Sequence, residues 1–351
     1  MIEKKPSICI ILCYYGKFPL TFQLFLNSCL QNPTINWLIV TDDNGIEKKF
    51  VIPKQVQILN MSLSEVEQLA SKKIGFRVII PTPYKLCDYK VAYGLIFEEF
   101  LKNYEWWGYG DCDVVYGDLR KYFTNKRLNQ YDKVYPLGHL SVLRNNEQCK
   151  KAFLLSADGT YDAKYVYTND KTFGFDEHNG INLKMLEHGM KIDLSNDFVD
   201  RSTFFKRFRT IDKKDIIPYF DESWIHSINF LKNYKKQLFV WENGHAYQYY
   251  MKNNKIKQKE LCYIHYRCRY ENNIDFSADK YILGAKELVS ISGNNSSISA
   301  EDFDKYNQSE SREMLKKATK CLRSRIDGMP KAEGIIIFLK KMKKLLYKKR
   351  K

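Results

Sequence analysis

Apolar runs and 3.6-residue stripes alternate along the first third of the chain. Ser7-Ile-Cys-Ile-Ile-Leu-Cys13 is apolar at nearly every position, the pattern of a strand buried on both faces. The next stretch places Phe22, Phe25, Leu26 and Cys29 on one helical face, with Thr21 as N-cap and an end near Asn32. Asn36-Trp-Leu-Ile-Val-Thr41 is a second buried strand, so strand, helix and strand predict a right-handed crossover unit. Val56-Gln-Ile-Leu-Asn60 is a third strand. Ser62 or Ser64, with Glu65 or Glu67, starts a helix to Lys73. Thr82-Pro83 opens a helix predicted from Tyr84 to Tyr104. Lys85, Asp88 and Tyr89 share one face of it and Lys90 lies off that face. This alternation predicts an α/β protein with a mixed, mostly parallel central sheet flanked by helices.

An aromatic run, Trp106-Trp107-Gly108-Tyr109-Gly110, then stops at Asp111-Cys112-Asp113 and gives way to Val114-Val115-Tyr116. It reads as a buried strand that ends by presenting carboxylates. Downstream the pattern predicts a basic amphipathic helix over 119–131, a strand stub at 133–136, a strand over 138–144 and a short helix over 146–155. Leu183 to Gly189 is helical and closes on glycine. Residues 197–225 show no clear period. Gln237–Trp241 and His245–Tyr250 flank Asn243-Gly244, a strong hairpin signal, and 259–267 reads as another strand. Ser290 to Ser311 is polar, and 313–326 reads as a charged helix. The organisation expected is one domain over 1–290, a polar linker or loop at 291–312, and a basic helical region over 313–351.

Charge and cysteine content narrow the function classes. The net charge is +16, which implies an anionic partner. Residues 331–351 hold nine Lys or Arg and one Glu, so half of the excess lies in the tail. A nucleic-acid protein should carry its charge on a folded face, so nucleic acid is not expected. In the tail Ile335, Phe338, Leu339, Met342, Leu345 and Leu346 fall at helical spacing among lysines. That is the pattern of a helix lying on an anionic membrane, or of one packed on the body with its basic face in water. Nine cysteines without a Cys-x-x-Cys pair predict free thiols in a reducing compartment. With no long apolar stretch, the expected place is cytoplasmic, peripheral on the inner face of the plasma membrane.

Several residues are candidates for chemistry. Alternation puts Asp111 and Asp113 on one side of an extended chain, where two hard oxygens suit Mn²⁺ or Mg²⁺. Ligands bind beyond the carboxyl ends of parallel strands, which brings in Tyr14 after the first strand and Asp42 after the second. Asp42 either bonds a ribose or base edge, or shapes a turn with Asp43. Lys85 and Asp88 are either a solvated charged face or part of a half-buried turn. His139 either faces a ligand or fills the core. Asp176 and Glu177 are either a general base or an N-cap. His265 either completes a metal site or is a satisfied core histidine, and Arg267, on the same side of the strand, can hold phosphate.

Taken in order, Ile11-Leu-Cys-Tyr-Tyr-Gly-Lys-Phe-Pro19, Pro83 to Lys90, Trp107 to Asp113 with Gly117-Asp-Leu-Arg120, Phe175-Asp-Glu-His178 and Tyr263-Ile-His-Tyr-Arg267 resemble a bacterial polysaccharide-biosynthesis family of capsule and O-antigen clusters. Its members are taken to be GT-A glycosyltransferases. The resemblance covers residues 7–290 and implies a GT-A-like fold, a nucleotide-diphospho-sugar donor, a UDP-sugar foremost, and a divalent metal. It implies that Asp111 and Asp113 hold metal and donor, and that His265 is a third metal ligand. Asp42 matches the acidic residue near the nucleoside. Lys85, Asp88 and Lys90 fall where such enzymes contact the donor, and Asp176 or Glu177 falls near the catalytic base. The expected acceptor is a lipid-linked or other glycan, which the basic tail would help to reach. The alternatives are a non-catalytic nucleotide or glycan binder docked on the membrane and, more remotely, a metal nuclease or phosphatase.

Overall fold

A computed structural model describes residues 4–177, 180–201, 208–210, 236–267, 270, 274–284, 287–291 and 297–306. In chain order the strands are β1 (Ile8–Cys13), β2 (Ile35–Thr41), β3 (Val56–Asn60), β4 (Trp106–Gly110), β5 (Val114–Tyr116), β6 (Lys133–Val134), β7 (Leu140–Arg144) and β8 (Ile192–Asp193). They continue with β9 (Phe198–Arg201), β10 (Phe208–Thr210), β11 (Gln237–Glu242), β12 (His245–Lys252), β13 (Lys255–Leu261), β14 (Tyr263–His265), β15 (Lys280–Leu283) and β16 (Leu288–Ile291).

The main sheet has the order β3-β2-β1-β4-β7-β6-β8. β1 to β4 run parallel, β7 is antiparallel to β4 and β6, and β8 is parallel to β6. This is a mixed α/β architecture with a large, mostly parallel sheet flanked by helices. β1 shows why its sequence is apolar throughout. Cys9 and Ile11 enter one core, with Val66, Ala70 and Ile74 of the helix Leu63–Ile74. Ile8, Ile10 and Leu12 enter the opposite core, with Phe22, Phe25 and Leu26 of the helix Phe22–Leu30. A strand packed on both faces has no polar alternation to show.

Two further sheets follow. The order β10-β9-β14-β5 makes a small sheet in which β14 lies between β5, antiparallel, and β9, parallel. The order β13-β12-β11-β15-β16 makes an antiparallel sheet, whose hairpin turns at Asn243 (φ 48°) and Gly244 (φ 81°). Both turn residues have positive φ, the geometry that Asn-Gly favours.

The elements depart from expectation at several points. Thr21 gives no side-chain cap to its helix, whereas the Ser62–Glu65 capping box is present. The helix expected over 84–104 is a chain of short turns: Pro83–Lys85, Leu86–Tyr89, Lys90–Ala92, Tyr93–Ile96 and Glu98–Leu101. Residues 119–131 divide into Leu119–Lys121 and Asn125–Gln130, because Thr124 caps the second piece through its side chain. The strand expected over 259–267 divides at Cys262, since β13 pairs with β12 while β14 pairs with β5 and β9. The stretch taken as linker holds a helix, Ala300–Tyr306, whose Phe303 packs with Ile298 on Leu238, Val240 and Ile282. The predicted helices at 313–326 and 332–351, with the membrane contact of the tail, lie outside the described residues. Among the described residues no helix is long and apolar enough to cross a membrane.

Candidate metal centre and its surroundings

Asp111 and Asp113 lie in the link between β4 and β5, where the chain passes from the main sheet to the small one. Trp106, Trp107 and Tyr109 bury β4, and Cys112 packs into the core beside Val114 and Tyr116. That leaves the two carboxylates on the open side, with side chains 32% and 37% exposed. β14 lies beside β5 and supplies His265, which is 3% exposed. Its Nε2 is 3.3 Å from Asp113 Oδ1 and 3.8 Å from Asp111 Oδ2. The ligand atoms of the three residues all lie within 4.8 Å of one another. Two open carboxylates and one buried imidazole fit a divalent ion such as Mn²⁺ or Mg²⁺.

Residue Asp200 of β9 sets the imidazole. Its Oδ1 is 2.8 Å from His265 Nδ1 and accepts 2.8 Å from Arg267 Nε. With Nδ1–H given to Asp200, Nε2 is the nitrogen that faces the carboxylates, and its lone pair is open to a metal once its own proton has left. Burial alone would lower the His265 pKa, but Asp113 and Asp200 outweigh it and push it up to about 9. Burial acts to raise the Asp113 and Asp200 carboxyls, and the positive charges of His265 and Arg267 hold both below the ordinary range.

Lys90, 7% exposed, joins this group to a second one. Its Nζ is 2.5 Å from Asp111 Oδ1, 3.6 Å from Asp176 Oδ2, and donates to Gly138 O at 3.1 Å. Asp176, 4% exposed, is pushed up to about 7, chiefly by burial, with Glu177 and Asp111 adding to it and Lys90 opposing. Glu177 Oε1 accepts from Gly138 N at 2.8 Å. Gly138 is small for a reason: a Cβ there would lie 2.1 Å from Asp176 Oδ2 and 3.1 Å from Glu177 Oε1. The acidic pair is not at a helix start as expected. The following helix is Ile181–Glu187, with no acidic residue in its first turn. Lys90 and the Gly138 N–H hold the pair in place of a helix dipole.

Lys85 and Asp88 do not reach this mouth. Both are fully buried and paired at 2.9 Å. Asp88 accepts from Phe173 N and Phe175 N, and Lys85 donates to the Val166 and Lys171 carbonyls. Their expected place as donor contacts gives way to a structural one: they anchor the loop that carries Asp176. Asn182 anchors its other end, donating to the carbonyls of Pro136 and Glu177. Lys133, buried beneath, donates to Asn182 Oδ1 at 2.7 Å, and burial brings its pKa down to about 7.

Tyr14 and Asp42 sit after β1 and β2, at the same edge of the parallel sheet as Asp111. The Tyr14 ring stacks on Phe18 at 4.3 Å between centroids. Asp42 is exposed and accepts from Gly16 N at 3.4 Å, while Asp43 shapes the turn through Gly45 N and Lys49. Sequence reasoning missed Asp200 and Gly138. An Asp in the apolar Phe198-Val199 run was a signal for the first; nothing local marked the second.

The described cysteines form no disulfide, and burial pushes Cys9, Cys13, Cys87 and Cys149 up to about 12. No curated protein matches the chain. Across residues 10–294 it matches a family of unknown function, DUF6625, and it belongs to that family.

Proposed function

We propose that this chain is a metal-dependent glycosyltransferase of the GT-A type. It moves a hexose from a nucleotide-diphospho-sugar, a UDP-sugar foremost, to a glycan acceptor in surface-polysaccharide synthesis. The observation that supports this reading is the meeting of Asp111, Asp113 and His265 at the end of β4, with Lys90 linking them to Asp176. Asp111, Asp113 and Nε2 of His265 would hold Mn²⁺ or Mg²⁺, which when bound neutralises charge on the departing nucleotide diphosphate. Asp200 keeps the imidazole in its ligating tautomer. Asp176 takes the proton of the acceptor hydroxyl, since a carboxyl that titrates near 7 is matched to base work at neutral pH. Glu177, tied to the Gly138 N–H, orients the loop. Lys90 and Arg267 would add positive charge at the diphosphate side, and Asp42, exposed after β2, would contact the nucleoside. The basic tail would hold the enzyme at an anionic membrane, where a lipid-linked acceptor lies.

The test is a screen of UDP-, GDP- and CMP-sugars by thermal shift and nucleotide release, with and without Mn²⁺. One donor should stabilise the protein and be turned over only with metal, and Asp111→Asn/Asp113→Asn should lose both effects. Metal-independent turnover in that double variant would refute the reading. Silence from every donor in the presence of metal would favour a non-catalytic binder.

A further inference from the structure

A second ligand set lies behind the first. His139 follows Gly138 just before β7, is 1% exposed, and among the described residues neither of its ring nitrogens has a hydrogen-bond partner. Its ring lies 4.4 Å from that of His265 and 5.4 Å, edge-on, from those of Phe198 and Tyr263. A phenylalanine would fill this aromatic slot without leaving a buried polar group unpaired, a state that ordinary folding disfavours. A buried water or a metal ion would satisfy the ring nitrogens, and the neighbouring donors favour the ion. His139, Asp200 and His265 are all buried and offer ligand atoms within 4.8 Å of one another.

We infer that His139, Asp200 and Nδ1 of His265 form a second cation site, selective for Zn²⁺ and similar transition metals. Two imidazoles and one carboxylate make a borderline-soft donor set that zinc favours. The front set of two half-buried carboxylates and one imidazole is harder and suits Mn²⁺ or Mg²⁺.

The two sites share one ring, and this makes them rivals. A neutral imidazole has one lone pair and one N–H. With Nδ1–H on Asp200, as in this structure, Nε2 serves the front site. With Nδ1 on a rear ion, the hydrogen moves to Nε2, faces Asp113 and removes a front ligand. Zinc behind opposes manganese in front, and the coupling is reciprocal. This antagonism rests on the proposed front site; the rear site itself does not.

The test is Mn²⁺ and Zn²⁺ binding to the full chain, by electron paramagnetic resonance and isothermal titration. In Asp111→Asn/Asp113→Asn protein, Mn²⁺ binding should vanish while one equivalent of Zn²⁺ remains. Adding His139→Phe should weaken that Zn²⁺ by about tenfold or more. In protein with Asp111 and Asp113 intact, Zn²⁺ should release Mn²⁺ at a lower concentration than in His139→Phe protein, where it competes for the front site alone. Loss of zinc together with manganese in the double variant would overturn the rear site. So would zinc binding indifferent to His139→Phe or, if that variant does not fold, to His139→Gln. Zinc binding that depends on His139 in protein that never binds Mn²⁺ would uphold the rear site and refute the front one.

Discussion

Asp200 takes the Nδ1 hydrogen of His265 at 2.8 Å, and this turns Nε2 toward Asp113 at 3.3 Å. An amide at position 200 keeps an oxygen for Arg267 Nε and His265 Nδ1 but loses the negative charge that holds the ring hydrogen on Nδ1 and strengthens Nε2 as a ligand. Asp200→Asn should therefore weaken Mn²⁺ by about 10–100-fold. Manganese resonance titration measures it, with circular dichroism as a check on the fold. An unchanged affinity would mean that Asp200 does not orient the ring.

The same ring links metal binding to pH. Below about 9, His265 carries a proton that a metal must displace. Mn²⁺ affinity should rise with pH and level off above about 9, with roughly one proton released per ion at neutral pH. Titration calorimetry in buffers of different ionisation enthalpy counts that proton. For the metal-free fold the sign is opposite. His265 titrates higher folded than unfolded, so its stabilisation is complete below about 6.5 and is lost as pH rises through about 9.

Asp176 is strained in its charged form. Its pKa rises from 3.8 to about 7 on folding, so the folded protein holds the proton more tightly and stability falls as pH climbs between those values. Asp176→Asn removes that loss. The variant should melt higher than the parent above pH 7, with the gain shrinking as pH drops toward 4. Transfer should fall by about 10²–10⁴-fold, the span of a general base. A variant that melts higher yet turns over like the parent would remove Asp176 from the chemistry.

Gly138 should accept no side chain. The Cβ of Gly138→Ala would sit 2.1 Å from Asp176 Oδ2 and drive that carboxylate off Lys90. Overpacking of this kind costs about 1–3 kcal/mol. Activity should fall further than stability does, because the displaced group is the proposed base. A melting curve and a turnover assay on one preparation separate the two. Full activity in Gly138→Ala would show that the loop has room to move.

The alternation of strands and helices through Ile74 was legible because each element hides a whole face. β1 and β3 fall within a residue of expectation, and both cores follow from which residues of β1 point which way. The place of Asp111 and Asp113 at the end of a buried strand was legible because two tryptophans and a tyrosine precede them. Of the partners of that pair, His265 and Asp176 were each one of two readings and Asp200 was missed, because they come from β14, a loop and β9, up to 154 residues away in sequence (from Asp111 to His265), and strand pairing and the buried anchors of the loop bring them together. The face shared by Lys85 and Asp88 was read correctly and its direction was not. Helical spacing says which residues point together; what they point at depends on the neighbour, here the segment around Val166 to Phe175.

That buried pair yields the last prediction. Lys85 and Asp88 are both fully shielded from water, and each satisfies backbone groups of residues 166–175 as well as its partner. Removing one charge leaves the other buried and unpaired, which costs about 3–5 kcal/mol. Asp88→Asn also loses the acceptors that fix Phe173 N and Phe175 N, so the loop before Asp176 should loosen. Asp88→Asn and Lys85→Met should each lower the melting temperature sharply. The double variant Lys85→Met/Asp88→Leu should recover part of the loss, because it leaves no isolated charge. Nucleotide affinity, measured at a temperature where each variant is folded, should stay close to the parent's. A pair that contacts the donor would behave the other way: small losses of stability, large losses of nucleotide affinity, and no recovery when both charges are removed. Hydrogen exchange at the Phe173 and Phe175 amides would show directly whether the anchor has been released.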